Sequence, residues 1–145
     1  MVFNRQNRFR IGQKPLRAFA ARLARALRLG KESFAVALVG DREIAALNRR
    51  YRGKAMATDV LSFPASNGKR SGVPTDGRRA GYRGDVVISV ETARRNARRL
   101  GHSAAEEIKL LTLHGVLHLL GYDHESDQGQ MARREHRLRR RLGLE

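Results

Sequence analysis

The chain has 145 residues, no cysteine, and 30 lysines and arginines against 14 acids, for a formal net charge of +16. Such a length suits one domain, 1–145, with a core that needs no covalent staples, and the lack of cysteine excludes disulfides and thiolate metal sites. No apolar run is long enough to span a bilayer, and Met1-Val2-Phe3-Asn4-Arg5 lacks the apolar stretch of a signal peptide, so a soluble cytoplasmic protein without a membrane partner is expected.

Along the chain, residues 2–10 alternate loosely and predict a short strand. Pro15 suits the first turn of a helix whose apolar stripe is Leu16, Phe19, Ala20, Leu23 and Leu27, with Gly30 as its stop. Residues 34–39 read as a buried strand, and Asp41 is placed to cap a helix that buries Ile44, Leu47 and Tyr51. Thr58 to Pro64 reads as a strand ended by proline. Residues 65–83, rich in glycine, serine and arginine, read as a mobile loop within the domain. A strand over 85–90 leads into a helix that runs to about Leu100. Ser103 and Glu106 form a capping box that opens a central helix over 104–120, and a last, arginine-rich helix spans about 126–142. The expected class is α+β, with a small, mostly four-stranded sheet, about five helices, and a metal site on the central helix and the loop after it.

That site rests on His114, His118 and His124. The first two are one helical turn apart, so their side chains leave the same face. The third follows Gly121, which can end the helix and turn the chain back. Three imidazoles converging on one point suit zinc with an open fourth position. Metzincin proteases use the same offsets, but with glutamate directly after the first histidine as general base. Gly115 stands there instead. A glycine inside a helix costs about 1 kcal/mol relative to alanine, so either close packing or space beside the metal requires it. Asp123 is placed either to orient a histidine or to cap the next helix. His102 and His136 fall outside the spacing and read as surface or helix-end residues.

The charge indicates the substrate class. Nine basic residues precede the first acid, Glu32, and such a surface attracts polyanions, of which nucleic acid is the commonest. A phosphodiester suits an arginine-rich protein without a protease base, because guanidinium stabilises charge on nonbridging oxygens.

The segment His114-Gly-Val-Leu-His118-Leu-Leu-Gly-Tyr-Asp-His124 resembles the signature of the YbeY (UPF0054) family of bacterial endoribonucleases. Two further blocks carry the resemblance in the family's order. One is Asn48-Arg-Arg-Tyr51-Arg52-Gly-Lys54 with Thr58-Asp-Val-Leu-Ser-Phe-Pro64, and the other is Gly84-Asp-Val-Val-Ile-Ser89. The resemblance implies a metal-dependent endoribonuclease specific for single-stranded rRNA, active in late maturation of the 16S rRNA 3′ end and in ribosome quality control. It implies one zinc ion per chain on His114, His118 and His124, with no small-molecule cofactor. It also implies a catalytic Arg52 at the scissile phosphate, Lys54 as a lesser substrate contact, and the small ribosomal subunit or associated factors as partners. The chain is more basic than many members, so its grip on RNA is expected to be strongly salt-sensitive. A metalloprotease and a non-enzymatic assembly factor with structural zinc are the rival readings. Gly115 opposes the first, and an open coordination position opposes the second.

Overall fold

A computed structural model describes residues 1–30, 32–54, 56–65, 81–123 and 125–144. In chain order the elements are β1 (Val2–Asn4), α1 (Gln13–Ala26), β2 (Phe34–Val39), α2 (Asp41–Arg52), β3 (Val60–Pro64), β4 (Gly84–Ser89), α3 (Val90–Leu100), α4 (Ala104–Leu119) and α5 (Gln130–Arg141). The sheet order is β1-β2-β4-β3. β1, β2 and β4 run parallel and β3 pairs antiparallel to β4, so the class is α+β with a mixed sheet.

Side-chain alternation divides the core into two layers. Ala37, Val39 and Val87 join Leu61 and Phe63 of β3 on the face covered by Ile44 and Leu47 of α2. Val36, Leu38, Val86 and Ile88 point the other way, toward the apolar faces of α1, α3, α4 and α5. With both faces covered, β2 and β4 are buried along their whole length. β3 is an edge strand that alternates between buried and half-buried residues, and Pro64 is its last residue, as suits a proline on an edge. α4 touches α1, α3, α5, β3 and β4, as expected of a central helix. Ser103 Oγ accepts the Glu106 N–H at 3.1 Å and caps it.

Local hydrogen bonds move three boundaries. β1 stops at Asn4 because the Asn4 side chain accepts the Gln6 N–H and the Gln6 amide donates to Phe9 O at 2.8 Å, which turns the chain. α5 starts at Gln130 rather than near 126, because Asp127 accepts the N–H groups of Gly129 and Met131, and Gly129 holds φ at 93°. Gly40, not Asp41, caps α2. The Asp41 carboxylate turns to α3 instead, accepting from Ser89 Oγ and Thr92 Oγ1 at 2.6 Å each and from Arg95 at 2.7 Å. Glu91 returns the favour to α2 by accepting the Asp41 N–H at 2.8 Å. Burial alone would push the Asp41 carboxyl up, but the bonds from Ser89, Thr92 and Arg95 and the Arg95 charge hold it below the ordinary range. Most of the expected loop, residues 66–80, lies outside the described residues. Its ends are joined by the Ala65 N–H on Arg83 O at 2.9 Å.

Candidate metal centre

α4 delivers His114 and His118 to one side of the molecule. Their Nε2 atoms stand 3.1 Å apart, with ring centroids at 4.7 Å and planes at 73°. Two Nε2 atoms at that distance cannot both carry protons. Either one donates to the other or both lone pairs meet a shared electrophile. Two imidazole nitrogens bound tetrahedrally to one zinc at about 2.0–2.1 Å stand roughly 3.3 Å apart, so this pair fits that ion's donor geometry. His124, the expected third ligand, lies outside the described residues. Among the described residues, no group of three histidine, cysteine or acidic side chains is placed to hold a metal.

The pair opens into a cleft of about 530 Å³ lined by Arg52, Asp59, Ser62, Tyr122 and Asp123 among others. Arg52 is the last residue of α2, and three features fix its place. Tyr51 packs edge-on to Phe63 of β3 at 5.2 Å between centroids. Gly53 takes φ 70°, a left-handed value that stops the helix. The buried Asn48 side chain donates to Met56 O at 3.0 Å and ties down the turn beyond. The Asn48–Lys54 and Thr58–Pro64 blocks therefore meet in space, and together they carry an exposed arginine to the cleft that holds the histidines. Lys54 is exposed and is not among the described residues that line the cleft.

Gly115 is explained by packing. A Cβ there would lie 2.5 Å from Val86 Cγ1 and 3.2 Å from Ser62 Oγ. Ser62 Oγ donates to the Gly115 carbonyl at 2.9 Å, which clamps α4 to the edge strand beside the histidines. Position 115 therefore faces the sheet, and a protease-type glutamate there would have to displace Val86.

The remaining candidates have local roles. Asp123 Oδ1 accepts the Glu125 N–H at 3.0 Å, so it shapes the turn after α4 rather than capping α5, while also lining the cleft. His102 Nε2 sits 2.7 Å from Glu107 Oε1 at the start of α4, and His136 is exposed on α5. Sequence reasoning overlooked Glu135, whose Oε1 lies 3.6 Å from His114 Nδ1. The available signal was its spacing. It falls four residues after Met131 and three before Leu138, both fully buried, so the acid shares the apolar face of a helix otherwise rich in arginine. A second cavity, about 480 Å³ between α1 and β2, is lined by Ala20, Ala24 and Phe34 and holds none of the expected site residues.

The comparisons with known proteins agree with the family resemblance described above. The family model for Endoribonuclease YbeY matches residues 1–143. Endoribonuclease YbeY of Anaeromyxobacter sp. (strain Fw109-5) is 46% identical over 139 residues, covering 94% of this chain and 68% of its own. The protein of the same name from Solibacter usitatus is 48% identical over 126 residues, covering 87% and 76%. The one from Nautilia profundicola is 47% identical over 107 residues, covering 74% and 70%. The solution structure of TM1509 from Thermotoga maritima superposes with a TM-score of 0.60 over 98% of this chain and 89% of that one, and at 24% identity it bears on the fold alone. Matched from end to end by one family model and nearly half identical to relatives of the same name, this chain belongs to the YbeY endoribonuclease family.

Proposed function

We propose that the protein is a metal-dependent endoribonuclease that hydrolyses single-stranded rRNA in the cytoplasm, late in maturation of the 16S 3′ end and in ribosome quality control. The small ribosomal subunit or its associated factors would be the partners. The observation that carries the reading is the His114–His118 pair opening into the same cleft as Arg52. His114, His118 and His124 would hold one zinc ion, which supplies Lewis acidity toward a phosphate oxygen when bound.

The protein's own groups do the rest. Arg52, fixed at the end of α2 but exposed, presents a planar fork that can pair two nonbridging oxygens and neutralise charge as it develops there. The wall formed by β3 and the turn at Tyr122–Asp123 limits the strand's path past the histidines. The excess of arginine over the surface gathers the polyanion from solution. Relatives named as endoribonucleases support the reaction class, and the packing at Gly115 removes the position from which a metzincin-type protease draws its base.

The test is a His114→Ala, His118→Ala double variant whose folding is verified by circular dichroism. It should retain neither bound metal nor cleavage of a single-stranded rRNA fragment. Undiminished cleavage without metal would overturn the assignment.

A further inference from the structure

α5 carries eight charged or histidine side chains in the run from Arg133 to Arg141, and only one of them is an acid, Glu135. That acid is not on the solvent face. Met131 and Leu138, which are 0% and 1% exposed, anchor α5 to the core, and Glu135 lies between them on the same face. Its side chain is 22% exposed and its Oε1 is 3.6 Å from Nδ1 of His114, itself 25% exposed. The contact joins the edge of the His114 ring away from the nitrogen that faces His118.

We infer that Glu135 is a positioning residue for His114. It keeps the proton on Nδ1 and so leaves the Nε2 lone pair directed at the metal position. An imidazole has one proton to share between two nitrogens in its neutral form, and a carboxylate beside one nitrogen decides which carries it. The same contact favours one orientation of the ring. Glu135 is the right group for this because its partner lies across a tertiary contact. α5 can dock only when its apolar face is seated, so the tautomer of His114 is tied to completion of the fold. Glu107 and Asp59 share a small cavity with His114 and Glu135, but Glu107 is engaged by His102 at 2.7 Å and Asp59 accepts from the Asn96 amide at 3.1 Å, whereas Glu135 lies 3.6 Å from the His114 ring. The inference rests on the reading of His114 and His118 as metal ligands.

The experiment measures zinc affinity by competition with a chromogenic chelator, using the full chain and its Glu135→Ala, Glu135→Gln, Glu106→Gln and His118→Ala variants. Nitrogen chemical shifts of the His114 ring are recorded for each protein without metal. Glu135→Ala should weaken zinc binding about 10- to 100-fold and move His114 away from the Nδ1–H tautomer. Glu135→Gln should recover part of both, because its amide oxygen keeps a hydrogen-bond acceptor on the Nδ1 side of the ring. Glu106→Gln, which removes an acid elsewhere on the surface, should change neither. Unchanged zinc affinity in Glu135→Ala, with loss in His118→Ala, would overturn the role of Glu135 while leaving the metal centre standing. Unchanged affinity in His118→Ala would overturn the metal centre and this inference together.

Discussion

A side-chain carbon at Gly115 would stand 2.5 Å from Cγ1 of Val86, so α4 crosses β4 more closely than any other residue at 115 allows. Val86 is fully buried and β-branched, with little freedom to move aside. This contact sets the height of the histidine pair above the sheet, since Gly115 follows His114 directly and its carbonyl is held by Ser62.

Gly115→Ala is therefore expected to destabilise the protein despite alanine's better helix propensity. Overpacking costs about 1–3 kcal/mol, against about 1 kcal/mol gained in the helix. Urea unfolding should show a lower midpoint, with much of the loss recovered when Val86→Ala is added. An alanine variant as stable as the parent would contradict the close approach.

Arg52→Ala should leave folding intact, because its side chain is exposed, and should lower cleavage of single-stranded RNA by roughly 10²-fold or more. Arg52→Lys should recover little, since an ammonium cannot pair two phosphate oxygens at once. Lys54→Ala should have a much smaller effect, as Lys54 is not among the described residues lining the cleft. Single-turnover rates measure all three, and equal losses at 52 and 54 would argue for general charge rather than a placed guanidinium.

Asp41 gives a pH-dependent signature of stability. Its carboxyl titrates below the ordinary value of 3.8 in the folded protein, so the folded state favours the ionised form. The stabilisation is full above the unfolded value and is lost as pH falls through the lower folded value. Asp41→Asn should be less stable than the parent by about 1–3 kcal/mol at neutral pH. Denaturant melts should show that gap closing below about pH 3.8. A gap that does not change with pH would mean that neither the hydroxyl bonds nor Arg95 favours the ionised carboxylate.

The charge of +16 predicts a steep salt dependence for RNA binding. The logarithm of affinity for a single strand should fall with the logarithm of salt at a slope of roughly −0.7 per phosphate contacted. Filter binding between low and moderate salt measures it, and a flat response would mean that the surface arginines do not touch the backbone.

Periodic elements were legible in the sequence. The stripe Leu16, Phe19, Ala20 and Leu23 is buried, β2 reads directly as an apolar run, and Ser103 caps α4 as its spacing with Glu106 predicts. What escaped depended on contacts between distant segments. Asp41 looked like a cap because its partners Ser89, Thr92 and Arg95 lie about fifty residues away. The insertion of β4 between β2 and β3 has no local signature. The reason for Gly115 required knowing that Val86 sits beneath it, and Glu135 was hidden in a basic run until α5 was docked. His114, His118 and Arg52 were found by spacing and resemblance, yet only the fold shows that they share one cleft.

A catalytic metal at the histidine pair and a structural one differ in what metal removal does to the fold. The most direct measurement strips metal from the full chain with a chelator, follows the fold by circular dichroism, and assays cleavage of a single-stranded rRNA fragment before and after adding back one equivalent of zinc. With a catalytic metal, the apoprotein should stay folded and inactive, and cleavage should return with the metal. Unfolding on chelation, or cleavage that persists in the metal-free protein, would contradict it.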